Sequence, residues 1–269
     1  MTFFRKYYGL ISLFFLSCDT GRLELVASLD NSLKESSGLE VIAGSKLFWT
    51  IEDAGNQANL YAINSKGHIA KNIDIKQANN EDWEDMTSDR KGHIYIGDFG
   101  NNSKKRNIFT IYKIPVSEQM GNEVLAEEIR FQLPKNVKSR DFEAFFLMDN
   151  HFYIFSKEEK SCLLAKVPNK LGSHTAEVLT DYNLKGKHNR ITSAAISPNK
   201  KTIVLLNHDK LWKITNFTGD QFFKGNIEEV GFEHDSQKEG ICFWDNETLF
   251  ISDERHGSEG GNIYKFNLD

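Results

Sequence analysis

One three-strand pattern recurs five times in this chain, and this repetition restricts the possible folds more than any other feature of the sequence. The copy at 81–114 shows the pattern well. It has an acidic start at Glu84, a short second strand that ends at Asp98, and a third strand over Ile108–Ile114. Runs of β-branched and aromatic residues bounded by Gly, Asn and Asp are typical of short antiparallel strands joined by turns.

The other copies begin near Ser37, Asp141, Thr192 and Glu239. A looser fourth strand follows most of them, as at Ile129–Leu133. Four antiparallel strands per unit, with units spaced about 46 to 59 residues apart, are typical of the blades of a β-propeller. The sequence therefore predicts an all-β, five-bladed β-propeller of four-stranded antiparallel blades.

The two ends of the repeat array indicate how the ring closes. A strand pattern over Leu23–Leu29 precedes the first unit, and the last unit ends at its third strand. We expect the N-terminal strand to supply the missing outer strand of the last blade, which leaves no gap in the ring. The alternative is a six-bladed ring with a sixth copy in the insertion 116–127, but that segment is polar and predicts a loop. Residues 23–269 thus form a single predicted domain.

The first residues resemble a targeting segment. A basic pair is followed by a short apolar stretch and then by a cysteine, at Arg5-Lys6, Tyr7–Leu16 and Ser17-Cys18. The apolar stretch is too short for a membrane span. We expect residues 1–18 to be a signal peptide ending at a lipobox, with Cys18 lipidated and residues 19–22 as a tether. The alternative is an ordinary cleaved signal with an incidental cysteine. Either interpretation places the mature protein outside the cytoplasm, in the periplasm or at the cell surface.

Charge and cysteine content exclude some classes of function. The net charge of −5 argues against a nucleic-acid partner, which requires a basic surface, and leaves room for a bound cation. Three cysteines are too few for a disulfide framework. Cys162 and Cys242 lie in apolar strand patterns and are predicted to be buried free thiols.

Propeller geometry converts the repeat into a site prediction. The innermost strand of each blade lines the central channel, and its first residue should neighbour the last residue of the second strand. The two positions are 14 residues apart in four copies and 16 in the first. The first-strand positions are Ser37, Glu84, Glu143, Ser193 and Glu239, and the second-strand positions are Asp53, Asp98, Lys157, Asn207 and Asp253.

These positions predict a metal site at one mouth of the channel. Three Glu, three Asp and one Asn would converge there, and Lys157 is the only cation among them. Carboxylates held together repel unless a cation relieves them, and calcium prefers such oxygen ligands. The candidate metal ligands are Glu84, Glu143, Glu239, Asp53, Asp98, Asn207 and Asp253. An alternative is that these acids bind backbone amides of neighbouring blades, with Lys157 paired to Glu143.

Several phrases in the chain resemble the SdiA-regulated family of envelope β-propellers, relatives of NHL and gluconolactonase-like propellers. They are Ser-Gly-Leu at 37–39, Asp-Trp-Glu-Asp at 82–85, Lys-Glu-Gly-Ile at 238–241 and the run from Leu249 to Arg255. The resemblance implies a propeller over most of residues 30–269. Gluconolactonase-like propellers hold one divalent metal through Glu, Asn and Asp, which implies a set of Glu84 or Glu239 with Asn207 and Asp253.

Two functions remain open from the sequence. The first is a lipid-anchored binding module that presents its loop face to a protein, peptide or glycan, with calcium or another divalent cation at the channel mouth. The second is a metal-dependent hydrolase of the lactonase, esterase or phosphoesterase type. In that case the metal would polarise a carbonyl or activate water, and Asp253 or His256 would be candidate catalytic residues that move the proton.

Overall fold

Five mainly antiparallel sheets form a ring, so the predicted five-bladed β-propeller is confirmed. The computed structural model describes residues 20–42, 44–89, 91–117, 119–158 and 160–268. The signal peptide and Cys18 lie outside these residues and stay predictions. No helix among the described residues is long and apolar enough to cross a membrane.

The first two blades follow the predicted order of strands from the channel outward. Blade 1 consists of β2 (Ser36–Val41), β3 (Phe48–Glu52), β4 (Asn59–Ile63) and β5 (Ile69–Lys76). Blade 2 consists of β6 (Trp83–Ser88), β7 (His93–Asp98), β8 (Phe109–Pro115) and β10 (Glu127–Gln132).

The other three blades repeat this order. Blade 3 consists of β11 (Phe142–Met148), β12 (His151–Ser156), β13 (Cys162–Pro168) and β15 (Glu177–Tyr182). Blade 4 consists of β16 (Ser193–Ile196), β17 (Thr202–Leu206), β18 (Lys210–Thr215) and β19 (Asn226–Gly231), with a 3₁₀ turn at Phe222–Lys224. Blade 5 consists of β20 (Lys238–Phe243), β21 (Thr248–Asp253), β24 (Asn262–Asn267) and β1 (Glu24–Ser28).

The N-terminal strand closes the ring as predicted. β1 pairs antiparallel with β24, with Glu24 opposite Lys265 and Ser28 opposite Asn262. It therefore supplies the outer strand of blade 5, whose other three strands come from the end of the chain.

Two short strands extend the outer edges of blades 1 and 2. β9 (Glu123–Leu125) pairs in parallel with β5, and β14 (Gly172–Thr175) pairs in parallel with β10. β9 belongs to the chain segment of blade 2 and pairs with blade 1, and β14 belongs to the segment of blade 3 and pairs with blade 2. The prediction that the insertion 116–127 is only a loop was wrong, because part of it finds an open sheet edge and pairs with it.

The apolar side chains are buried between blades rather than around one centre. Five buried clusters are found among the described residues, and each joins two neighbouring blades around the ring. The cluster between blades 2 and 3 is rich in phenylalanine, with Phe99 and Phe145 packed edge to face at 5.2 Å between ring centroids. Cys162 and Cys242 are buried thiols outside any disulfide, as predicted, and they lie in different blades.

A carboxylate ties three blades together at the centre of the ring. Asp85 on β6 is fully buried. It accepts the backbone N–H of Phe145 (3.1 Å) from blade 3, and the hydroxyl of Ser193 (2.8 Å) and the N–H of Ala194 (3.3 Å) from blade 4. The Ser193 oxygen in turn accepts the N–H of Ile241 (3.2 Å) from blade 5. Innermost strands are thus fastened to one another by a shared polar group, since buried polar groups need partners.

Candidate functional site at the acidic mouth

Three β-bulges place the three predicted glutamates. β6, β11 and β20 each contain one extra residue that has no pairing partner on the neighbouring strand. The extra residues are Glu84, Glu143 and Glu239. A bulged residue leaves the regular ladder and its side chain is aimed differently from those of its neighbours. The bulges explain how three glutamates come to face one mouth of the channel.

The same bulges correct the pairing expected from the 14-residue spacing. Trp83, and not Glu84, stands opposite Asp98, and Lys238, and not Glu239, stands opposite Asp253. The expectation that each glutamate and the matching second-strand residue are direct hairpin partners was wrong by one residue. The predicted pairing was also wrong in the two blades that begin with serine, since Ser193 stands opposite Leu206 and not Asn207, and Ser37 stands opposite Ile51 and not Asp53.

We use the name acidic mouth for the carboxyl groups at the end of the ring where the innermost strands begin. Its members are Asp53, Asp82, Glu84, Glu143, Glu239 and Glu254. The tightest part is formed by Asp53, Asp82 and Glu84, which offer ligand oxygens that lie within 4.8 Å of one another. Asp53 follows β3 in blade 1, whereas Asp82 and Glu84 begin blade 2, so this group bridges two blades.

Gly100 packs directly behind this cluster. An ideal Cβ at this position would overlap the Glu84 Oε1 atom and the Asp82 carboxyl group. Any larger residue here would force the Glu84 and Asp82 side chains to move from these positions. The neighbouring turn uses glycine differently, since Gly55 has a φ of 85°.

Burial and mutual repulsion raise the pKa values of the mouth carboxyls. Burial is the first cause for Asp82, with Asp53 next, and its pKa is raised to about 6. Glu254 has its pKa raised to about 8 by burial, Glu239 and Asp53. The pKa of Asp53 is also raised, chiefly by burial. Carboxyls with raised pKa values gain most from a cation, because the ion stabilises the charged form that burial disfavours.

The carboxyl groups of Glu84 and Glu143 interact with each other, and Lys157 pairs with Glu143. The Lys157 ammonium contacts Glu143 and lies 3.8 Å from Asp141. The sequence analysis predicted this pairing of Lys157 with Glu143 as part of the alternative to a metal site. Burial and the charge of Glu143 raise the pKa of Glu84 well above its usual range. Burial also raises the pKa of Glu143 to about 8, although the charge of Lys157 opposes this rise.

Glu239 has a different partner. Its Oε1 lies 3.1 Å from Nε2 of His208, whose pKa is raised chiefly by this hydrogen bond. Next to His208 in the chain, Asn207 is 4% exposed and donates through Nδ2 to the backbone oxygen of Arg190. The Asn207 Oδ1 atom has no hydrogen-bond partner within the described part of the chain.

Two of the predicted ligands are engaged inside their own blades. Asp98 accepts the N–H of Asp82 (3.0 Å) and pairs with Arg106 (2.9 Å). Asp253 is fully buried and accepts the N–H of Asn262 (2.7 Å) and the hydroxyl of Tyr264 (2.9 Å). The structure does not bring these two carboxylates into the group formed by Asp53, Asp82 and Glu84.

The two candidate catalytic residues, Asp253 and His256, differ in burial. Asp253 is buried as described above, whereas His256 is exposed on a small hairpin of β22 (Arg255–His256) and β23 (Glu259–Gly260). His256 lines a cavity of about 740 Å³ together with His208 and Glu254.

Sequence reasoning missed Asp82, Glu254 and the central Asp85. Asp82 and Asp85 stand in the same Asp-Trp-Glu-Asp phrase as Glu84, and Glu254 directly follows Asp253. The sequence therefore contained a signal for these residues, namely their position next to acids that had been predicted as ligands. The one-residue bulges that decide which acid of a run faces the mouth have no sequence signature of their own.

Comparisons with known proteins support the fold alone. No family model matches the sequence, and no curated protein matches it. The PQQ-bound form of an aldose sugar dehydrogenase from Streptomyces coelicolor is similar in structure, with a TM-score of 0.57 and 10% identity over 93% of this chain and 98% of that chain. A chain of a nidogen/laminin complex is similar with a TM-score of 0.52 and 10% identity over 89% of this chain and 78% of that chain. These likenesses show that the chain shares the architecture of β-propeller proteins.

Proposed function

We propose that this protein is a lipid-anchored, extracytoplasmic binding module in which the acidic mouth holds a divalent cation, with calcium as the preferred ion. The observation that carries the proposal is the group Asp53, Asp82 and Glu84, whose oxygens lie within 4.8 Å of one another. Calcium takes six to eight hard oxygen ligands in flexible geometry. Three carboxylates can supply up to six of them, and water or a ligand can supply the rest.

The binding role follows from where this group lies. The cluster spans two blades at the loop face, and an ion there would be reached by a partner that approaches this face. Under this proposal Cys18 carries the lipid and the tether 19–22 holds the propeller close to the membrane. The resemblance to the SdiA-regulated envelope propellers supports the same location. A protein, peptide or glycan would then dock on the loop face.

Calcium titration tests the proposal. We expect calcium to raise the melting temperature of the chelator-treated protein, and Asp82→Asn and Glu84→Gln to abolish the shift. Glu177→Gln is the matched control, since Glu177 is exposed on the outer strand of blade 3. A ligand that binds only the folded state stabilises it by about 2.7 kcal/mol at a hundredfold excess over Kd. An unchanged melting temperature on addition of calcium or of EDTA would refute the cation site.

Proton release gives a second, independent measurement. Because burial raises the pKa of Glu84, and that of Asp82 to about 6, we expect calcium to displace protons when it binds. We expect the apparent calcium affinity to rise between pH 5 and pH 8. Calorimetry in two buffers of different ionisation enthalpy would measure the number of protons released.

The His208–Glu239 pair favours a second candidate function, the metal-dependent hydrolase. An imidazole held 3.1 Å from a carboxylate, one residue from Asn207, is an arrangement that can move a proton. A screen of lactone, ester and phosphate substrates with and without divalent metal separates the two functions. Metal-dependent turnover that is lost in His208→Ala and in Glu239→Gln would favour the hydrolase over the binding module.

A further inference from the structure

A cavity of about 790 Å³ opens beside the acidic mouth, between the loops of blades 3, 4 and 5. Glu143 and Glu239 lie on innermost strands and Asn207 directly follows β17, so these residues define the channel side of the cavity. Lys160 and Lys187 lie in exposed loops and define its outer side. Asp53, Asp82 and Glu84 are not among the residues that line it. The volume is in the range of sites for small organic ligands, about 300 to 1,000 Å³.

The channel side of this cavity presents hydrogen-bond acceptors, and the Lys157 ammonium on this side is paired with Glu143. Asn207 Oδ1 is buried and lacks a partner within the described residues. A buried acceptor without a partner costs free energy, so a hydroxyl or N–H group that reaches it gains a full hydrogen bond. Glu239 is held in place by His208 and adds a second, oriented acceptor on the same side.

The outer side of the cavity carries Lys160, Lys187 and Arg190 against one exposed carboxylate, Asp235, so its charge balance is positive. Lys160 and Lys187 are exposed, and neither forms an ion pair with a carboxylate of the described residues. The two ammonium groups are thus available to an anion. A ligand that fills the cavity would meet positive charge on one side and hydrogen-bond acceptors on the other.

We infer that this cavity binds an acidic sugar, a polyol that carries a carboxylate. The carboxylate would face Lys160 and Lys187, and ring hydroxyls would donate to Asn207 Oδ1 and Glu239. The inference rests on the binding role proposed above and names its ligand class. The sugar could be a free monosaccharide acid or a unit of an acidic polysaccharide, which share this chemistry.

The walls favour a carbohydrate over a peptide. Ile191 supplies the only apolar side chain among the described residues that line the cavity. Sites that take apolar or peptide side chains are lined mainly by hydrophobic and aromatic groups. A ligand with hydroxyl groups on most of its surface leaves fewer of the polar wall groups unpaired, and therefore fits this lining better.

Calorimetric titration with galacturonic acid and trigalacturonic acid tests the inference. The titration is carried out in EDTA, so that calcium plays no part. Galactose is the neutral comparison and trialanine the peptide comparison. We expect both acids to bind, galactose and trialanine not to bind, and Lys160→Ala and Lys187→Ala each to weaken binding roughly twofold to fivefold. Lys201→Ala, an exposed lysine of blade 4 that does not line the cavity, should leave binding unchanged.

Each outcome has a defined meaning. Tighter binding of the trimer than of the monomer would identify a polysaccharide chain as the source, and equal binding would identify the free acid. No binding of either acid, binding that is insensitive to both lysine variants, or binding of trialanine alone would overturn the inference. Asp82→Asn separates the two proposals, because it should abolish stabilisation by calcium and leave sugar-acid binding in EDTA unchanged.

Discussion

The substitution Ser193→Ala should destabilise the ring, although it removes a single oxygen atom. Ser193 is fully buried, donates to Asp85 (2.8 Å) and accepts the N–H of Ile241 (3.2 Å). Its hydroxyl thus connects blades 2, 4 and 5. Alanine fits the same backbone and nearly the same volume, so the loss is confined to these two hydrogen bonds.

The magnitude follows from the two partners. A hydrogen bond contributes about 0.5 to 1.5 kcal/mol between neutral groups and about 1.5 to 3 kcal/mol to a charged group, and a buried N–H left without an acceptor costs about 1 to 3 kcal/mol. We expect the free energy of unfolding to fall by about 3 kcal/mol, allowing for relaxation around Asp85. For a chain of this size that corresponds to a fall in melting temperature of roughly 6 to 12 °C.

Calorimetry and amide hydrogen exchange measure the effect. The exchange of the Ile241 amide should accelerate more than that of amides in the outer strands, because it loses its acceptor directly. Ser173→Ala on β14, an exposed serine, is the matched control. A melting temperature within 2 °C of the parent protein, with unchanged protection at Ile241, would refute the view that this hydroxyl fastens the blades together.

Two further predictions concern the acidic mouth. The folded-state pKa values of Asp82 (about 6) and Glu254 (about 8) lie above those of the unfolded chain. The folded state therefore binds more protons than the unfolded state in this pH range. Without calcium, the free energy of unfolding should fall as the pH rises through the range. Melting temperatures from pH 4 to pH 9 test this, Glu254→Gln should flatten the decline above pH 7, and a rising profile would contradict it. Gly100→Ala should displace the Glu84 and Asp82 side chains and reduce stabilisation by calcium, whereas Gly121→Ala, with open space around the added Cβ, should leave it unchanged.

The strand framework could be predicted from the sequence because it depends on features that repeat. Each blade needs the same alternation of buried strands and polar turns, and five copies reinforce one another. The position of β1 followed from counting strands, since a three-stranded last unit requires a partner. The short strand β9 was missed because its pairing depends on an open edge in another blade.

The site was predicted less completely, and the reason is local. The 14-residue spacing led to Glu84 and Asp98 as neighbours, but the bulge turns Glu84 toward the mouth and leaves Asp98 with Arg106. A run of acids such as Asp82-Trp83-Glu84-Asp85 contains three carboxylates with three different environments. Only the path of the backbone places Asp82 at the edge of the mouth, Glu84 in the bulge and Asp85 at the centre of the ring.

The closure of blade 5 by β1 also sets an order of events during synthesis. Glu24 leaves the ribosome early, and its partner Lys265 follows roughly 240 residues later, so the pairing has a very long sequence separation and should form slowly. Until β24 is made, β1 is an unpaired strand and the two flanking inter-blade cores are incomplete. A newly made chain is therefore exposed to aggregation and to exchange of β1 with a second molecule until β24 has been made. The pairing of β24 with β1 is thus the step that closes the ring.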